Sequence, residues 1–384
     1  MTQQPATHNP QVIIAEGAID QLDQLLAGLS AQRLFFVIDK PAYQFSGARE
    51  AMQACLGKRE VTWFDEFELN PKIEDVERGV AMFRAAKPDV VMALGGGSAL
   101  DIAKLIDACG AQEGAPLDYV LGNQPLANKP QPLIVIPTTS GTGSEATHFA
   151  VVYVGGKKFS MADAALLPDH VLIDPKLTWS LPARTTAACG LDALSQCIES
   201  AWAVGATDES IEYSCKGLRL ALEHIEAAVG KPDPAARRGM AEAAYLSGKA
   251  INISKTTAAH AMSYAVTTHY HVPHGSAVAL TLGAFLLFNS EVDAATCTDP
   301  RGVDAVKARI ARIVDLLGGG SVAAAHARLQ AIVSNIGSPM RLRDVGITSA
   351  DLPGLIAQVN VERLSNNPRK ITVQQMQSLL DSVL

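Results

Sequence analysis

Val90-Val91-Met92-Ala93-Leu94-Gly95-Gly96-Gly97-Ser98-Ala99-Leu100-Asp101-Ile102-Ala103-Lys104 is the stretch on which the fold turns. Five apolar, β-branched-rich residues with no alternation read as a strand buried on both faces, the kind found in a parallel sheet covered by helices. Three glycines then let backbone amides come close to a phosphate. The apolar spacing that follows predicts a helix whose N-terminal dipole favours an anion. The loop is neither the dinucleotide fingerprint G-x-G-x-x-G, since Leu100 stands where the last glycine belongs, nor a Walker loop. The bland alternative is a glycine-rich turn without a ligand.

Working outward, similar runs recur at Leu34-Phe35-Phe36-Val37-Ile38, Leu133-Ile134-Val135-Ile136 and Val171-Leu172-Ile173. Between the first strand and the glycine loop, Val76, Val80, Met82 and Phe83 repeat near helical spacing over Glu74 to Ala86, and Lys87-Pro88 stops the helix. This βαβ pattern predicts a parallel-sheet α/β domain. After Leu181-Pro182 the character changes to Ala-rich amphipathic stretches, at 186–202, 210–228, 235–253, 303–317, 322–336 and 373–384. The expected organisation is a nucleotide-binding α/β domain over 1–180 and an all-helical, metal-binding domain over 181–384, with a cleft between them.

At 384 residues, 48% apolar and 18% charged, the chain is long and apolar enough for a large core and carries no compositional case for disorder. A net charge of −7 argues against non-specific binding to nucleic acid or membrane surfaces, while leaving room for a local basic pocket. Residues 1–5 lack the basic start and apolar core of a signal peptide, and no run reaches membrane-spanning length, so a cytoplasmic location is expected. Six cysteines without C-x-x-C or framework spacing read as reduced, structural thiols.

A second loop, Pro137-Thr138-Thr139-Ser140-Gly141-Thr142-Gly143-Ser144-Glu145, puts hydroxyls and glycines after the next strand, where open α/β sheets bind ligands. Asp39 ends the first strand, where a carboxylate bonds a ribose hydroxyl and repels a 2′-phosphate; this predicts NAD(H) over NADP(H), the plain alternative being a helix cap. In the second half Asp192 and Gln196 share one helix face at i,i+4. With His260 and His274 they make a candidate divalent site, one carboxylate and two imidazoles plus a carboxamide as a fourth ligand. His269 and His271 compete for the ligand role. His274 is preferred because Pro273 fixes and Gly275 clears its backbone. His148 and Tyr264 are further candidates for proton relay.

Taken in order, Asp39, Asn70-Pro71, Gly95-Gly96-Gly97-Ser98 with Asp101, Pro137 to Thr142 with Glu145, Leu167-Pro168-Asp169 before Asp174-Pro175, Gly190-Leu191-Asp192-Ala193, His260-Ala261-Met262-Ser263 and Pro273-His274-Gly275 resemble the iron-containing, or group III, alcohol dehydrogenase family over nearly the whole chain. The resemblance implies a Rossmann-like domain, a helical domain, a divalent metal (iron or zinc) and a homodimer. It also implies hydride transfer between a nicotinamide and a primary alcohol or aldehyde. It makes Asp192, His260 and His274 metal ligands and catalytic residues. Gly97, Ser98, Thr138, Thr139 and Lys158 fall around the cofactor, and Asp39, Asn70, Gly96, Asp101 and Thr142 complete that set.

Two departures stand out: Gln196 replaces the family's usual second-ligand His, and Tyr264 the usual His four residues after the third ligand. A third bears on substrate. Ser254-Lys255-Thr256-Thr257 precedes His260, and Lys255 with Thr256 suits a phosphonate, sulfonate or carboxylate on a short aldehyde, against the plain reading of a solvated lysine. With Gln196, this stretch resembles the phosphonoacetaldehyde reductase branch, which makes 2-hydroxyethylphosphonate. Sulfoacetaldehyde, succinate semialdehyde and general primary alcohols stand behind that substrate. A non-redox lyase or cyclase of the same fold would show no net NADH consumption, and a non-catalytic nucleotide-binding protein would show no turnover at all.

Overall fold

The computed structural model describes residues 9–359 and 361–384, so the residues at the extreme N-terminus read above for targeting lie outside the described chain. An N-terminal α/β unit is followed by an all-helical one. Of the described residues, 9–139 and 143–181 belong to the first, and 140–142 with those from 182 onward to the second.

The first unit is built on strands β1 (Gln11–Ile14), β2 (Arg33–Ile38), β3 (Glu60–Phe64), β4 (Val90–Gly95), β5 (Leu133–Pro137) and β8 (His170–Ile173), ordered β1-β8-β5-β4-β2-β3. Every neighbouring pair in this sheet is parallel. Its central strands are sealed on both faces: each residue of β4 and β5 is buried, which is why they read as unbroken apolar runs. Strand β3 lies to one side of β2 and β4 to the other, so the order reverses between β2 and β4. The crevice beyond their carboxyl ends is the place where such sheets take ligands. The register Ile38↔Leu94 sets Asp39 beside Gly95 there.

An antiparallel hairpin, β6 (Phe149–Val154) and β7 (Lys157–Ala162), turns on Gly155-Gly156, both with positive φ as a two-residue hairpin turn requires. It docks by Tyr153 N–H donating to the Pro71 carbonyl at 2.8 Å.

Helix Gly97–Gly110 is buried along nearly its whole length, Lys104 included. The Lys104 ammonium donates to the carbonyls of Ser144 (2.6 Å), Thr147 (2.9 Å) and Phe149 (3.1 Å) and to the Thr147 hydroxyl (3.0 Å). Burial, partly offset by Asp101 and Glu145, draws its pKa down to about 8. One side-chain cation thus gathers the carbonyls of the segment that follows the Thr138–Gly143 loop.

In the second unit, helix Ala183–Trp202 is buried from Gly190 to its end and packs with Asp208–Gly230 and Pro234–Ser254. Helices Ala258–Tyr270 and His274–Ser290 follow, separated by His271 in left-handed conformation, Val272 and Pro273. No helix among the described residues is long and apolar enough to cross a membrane.

Replacing the buried cation by an isosteric apolar chain removes one charged donor from three carbonyls and a hydroxyl, of which the Ser144 and Phe149 carbonyls keep the Thr147 hydroxyl. Lys104→Met is expected to lower stability by about 3 kcal/mol, read as a shift in urea midpoint, and to weaken nucleotide binding through the loosened loop.

Candidate functional site

The nucleotide loops converge at the β2–β4 crevice of the first unit. The Asp39 amide donates to the Leu94 carbonyl at 2.8 Å, and Thr138 N–H to the Gly95 carbonyl at 2.9 Å, locking three strand ends together. Gly95 has a φ of 151°, and a Cβ there would stand 2.7 Å from the Asp39 Cβ, so no larger residue fits. Gly96 opens helix Gly97–Gly110 with no side chain over its first amides, and Thr139 comes within 3.4 Å of where a Gly96 Cβ would be. Asn70, with φ 61°, donates its amide to the Ser98 hydroxyl at 3.3 Å. Lys158 pairs with Tyr153 in the hairpin that docks on Pro71.

Three predicted cofactor residues behave differently from the rest. Asp39 accepts the Ala42 amide at 3.1 Å and so caps helix Lys40–Phe45, leaving further acceptor capacity on its carboxylate. Asp101 has both oxygens engaged by the protein, one by the Ser144 hydroxyl and one by the Val151 amide, and fastens the loop to the helix. Thr142 groups with the helical unit, where its carbonyl accepts from Gln196. The Thr138 hydroxyl is buried with no hydrogen-bond partner. A buried orphan hydroxyl beside a glycine cradle and an open helix N-terminus fits a polar, phosphate-bearing cofactor.

In the second unit Asp192, His260 and His274 offer ligand atoms that all lie within 4.8 Å of one another. Asp192 comes from the buried helix Ala183–Trp202, His260 from the first turn of Ala258–Tyr270, and His274 is the first residue of its helix. His260 Nε2 lies 3.3 Å from Asp192 Oδ1, and Nδ1 is bonded to Glu199 Oε2. The other Glu199 oxygen accepts from the Thr257 hydroxyl (2.6 Å) and from the amides of Thr257 and Ala259 (both 3.1 Å). One fully buried carboxylate thus caps the helix that carries His260 and holds its ring with Nε2 turned toward Asp192, the arrangement that orients metal-binding imidazoles. Burial opposes charge on His260, but Glu199 and Asp192 prevail and lift its pKa to about 10.

Glu199 was legible only in outline. It sits seven residues after Asp192, so Asp192, Gln196 and Glu199 form a buried polar stripe along one face of the helix.

The remaining candidates separate cleanly. His269 bonds Gln358 at 2.7 Å and His271 is exposed, so neither joins the three-residue group. Gln196 accepts from the Ser247 hydroxyl at 2.8 Å and donates to the Thr142 carbonyl at 3.2 Å. The Tyr264 ring stacks on His274, centroids 6.0 Å apart. His148 lies in the α/β unit, edge-on to Phe149. Lys255 is exposed and Thr256 buried, on the link into helix Ala258–Tyr270.

A Cβ on Gly275 would stand 2.0 Å from the Ala188 carbonyl and 2.6 Å from the Asp192 amide. Gly275→Ala is therefore expected to push the His274 helix off the Asp192 helix, and metal quantification on the purified variant should find substoichiometric metal with nucleotide binding retained.

The His260 shift also has a signed consequence. A folded pKa of about 10 against 6.5 means the imidazolium stabilises metal-free protein fully below pH 6.5, and this contribution is lost as pH rises through 10. Metal needs neutral imidazole. Zn²⁺ titration near pH 7 should release about one proton, and apparent affinity should rise about tenfold per pH unit below 10. Calorimetry in two buffers of different ionisation enthalpy reads the proton. A protonation-independent affinity would contradict the arrangement.

Comparison with known proteins agrees with both halves. Residues 9–175 match the model for iron-containing alcohol dehydrogenase, and residues 186–384 that for the C-terminal part of the Fe-containing alcohol dehydrogenase family. Long-chain-alcohol dehydrogenase 1 of Geobacillus thermodenitrificans is 32% identical over 88% of this chain and 86% of its own length. Phosphonoacetaldehyde reductase of Streptomyces viridochromogenes is 34% identical over 77% and 76%. The crystal structure of sulfoacetaldehyde reductase from Bifidobacterium kashiwanohense in complex with NAD⁺ superposes with a TM-score of 0.88 at 27% identity, covering 100% of this chain and 99% of that one. The chain belongs to the iron-containing alcohol dehydrogenase family and is an NAD-dependent alcohol dehydrogenase, or aldehyde reductase, of that family.

Proposed function

We propose that this enzyme reduces a small anionic aldehyde with NADH, phosphonoacetaldehyde to 2-hydroxyethylphosphonate first among candidates and sulfoacetaldehyde or succinate semialdehyde behind it. Residues 1–180 serve as the nucleotide-binding domain and 181–384 as the metal-binding domain. The observation that carries the reaction class is the convergence of Asp192, His260 and His274 with Glu199 behind His260. One carboxylate and two imidazoles suit iron or zinc equally. When bound, such a metal polarises the substrate oxygen and the reduced nicotinamide supplies hydride.

The chain's own residues do the rest. Glu199 holds the His260 proton on Nδ1, which leaves Nε2 as the ligating nitrogen. Asp39 selects NAD(H) because its carboxylate accepts a ribose hydroxyl and repels a 2′-phosphate. Asn70, Gly96, Gly97, Ser98, Thr138, Thr139 and Lys158 surround the cofactor, with Asp101 holding their loop and Thr142 backing Gln196. Gln196, one turn after Asp192 on the same helix, has a carboxamide oxygen that accepts from Ser247 and keeps a second lone pair that would serve the metal.

Lys255 and Thr256 select the anion. Two of the relatives carry names of reductases acting on aldehydes with a phosphonate or sulfonate group, and a third is named for long-chain alcohols, so the family accommodates both kinds. The six cysteines are free thiols, as a reducing cytoplasm keeps them, and a homodimer is the assembly that accompanies the family resemblance.

The test is NADH oxidation by metal-loaded enzyme against phosphonoacetaldehyde, sulfoacetaldehyde, succinate semialdehyde and butanal. The expected kcat/KM for the best charged aldehyde exceeds that for butanal by about a hundredfold, a ratio consistent with one desolvated charge pair. Comparable values would assign the enzyme to general primary alcohols instead.

A further inference from the structure

Lys255 lies in a backbone conformation that only glycine adopts comfortably, φ 60° with ψ −179°. A link built merely to join helices Pro234–Ser254 and Ala258–Tyr270 would carry glycine there, as helix ends commonly do. Instead a lysine is forced into place from three sides. Before it, the Ser254 hydroxyl bonds the Ser200 hydroxyl at 2.6 Å and the Lys255 carbonyl at 3.0 Å. After it, Thr257 is tied through its amide and hydroxyl to Glu199, the same carboxylate that holds His260.

Across it stands Asn366. Its amide nitrogen donates to the carbonyls of Ser254 (2.8 Å) and Thr256 (2.9 Å), which flank Lys255 on either side. Its oxygen accepts the Gly205 amide at 2.9 Å, and its backbone carbonyl accepts the Val204 amide at 3.0 Å. Two carbonyls against the nitrogen and one N–H against the oxygen leave a single orientation for this side chain.

We infer that Asn366 is a positioning residue that pins Lys255 in this strained conformation so that its ammonium meets the anionic end of the aldehyde. The inference rests on the charged-aldehyde reading proposed above. Strain of this kind persists only where surrounding bonds over-determine it, and it collects where a side chain must be presented for function. The bonds from Asn366, Ser254 and Thr257 over-determine it here. Because Thr257 is anchored on Glu199, the lysine is referenced to the same carboxylate that orients a metal ligand.

Four variants of the metal-loaded enzyme test this: Lys255→Gly, Lys255→Ala, Lys255→Arg and Asn366→Ala. If the backbone is strained, Lys255→Gly melts about 2 °C above Lys255→Ala, since both lack the side chain and only glycine relieves the φ. Asn366→Ala lowers the ratio of kcat/KM on phosphonoacetaldehyde to that on butanal roughly tenfold, chiefly through KM for the charged aldehyde. Lys255→Ala lowers it further, and Lys255→Arg restores most of it. Should Asn366→Ala not fold, Asn366→Asp carries the same expectation, because it keeps an acceptor for Gly205 and loses both donors.

A Lys255→Gly variant no more stable than Lys255→Ala overturns the strain. Equal losses on both aldehydes in the Asn366 variants overturn the positioning role alone. A wild-type enzyme that does not prefer the charged aldehyde overturns the substrate reading and this inference with it, and that measurement precedes any variant.

Discussion

The carboxylate of Glu199 is the constraint from which the helical half takes its order. A fully buried carboxylate is costly unless every lone pair finds a donor, and here the donors are the first amides of helix Ala258–Tyr270, the Thr257 hydroxyl and the His260 ring. Satisfying one charge therefore fixes where a helix begins, how its histidine is turned and where the preceding link must run. Trp202, fully buried at the end of the Glu199 helix, adds its indole N–H to the same Thr257 hydroxyl at 2.9 Å. The helix start and the end of the central helix are thus stitched at one residue.

The link is held from behind as well. Arg301 and Arg309 share the buried carboxylate of Asp299 and reach the carbonyls of Val204 (2.8 Å) and Ala203 (3.0 Å). Burial acts against that carboxylate's charge, yet the two guanidinium partners outweigh it and hold Asp299 at about 2. The 203–206 loop that receives Asn366 is accordingly a rigid floor, which is what a strained backbone resting on it requires.

What the sequence disclosed follows the physics of each element. The four central strands were legible because burial on both faces leaves an unbroken apolar run. The edge strands Gln11–Ile14 and Glu60–Phe64 were not, because they pair on one side only and keep polar and aromatic residues in partial contact with solvent. Gly155-Gly156 between apolar runs was a hairpin signal that went unread. Amphipathic helices announced themselves. His274–Ser290 did not, being apolar on every side and buried along most of its length, so it shows no stripe. At the site, Pro273 and Gly275 pointed to His274 among three nearby histidines, and His274 is the one whose ligand atom lies within 4.8 Å of those of Asp192 and His260. Glu199 escaped because its role depends on helices some sixty residues apart meeting, which spacing along one helix cannot report.

The Lys104 cage, finally, divides the molecule by what each half must obtain from its surroundings. A ring of inward-facing carbonyls ordinarily needs a potassium or sodium ion at its centre. Here the chain supplies the cation covalently, on a side chain that dialysis, chelation or a change of salt cannot remove. The cluster of Asp192, His260 and His274 instead brings ligand atoms from one carboxylate and two imidazoles within 4.8 Å of one another. The nucleotide loops thereby carry their own cation, whereas the Asp192, His260 and His274 group is one that could take an ion from outside the chain.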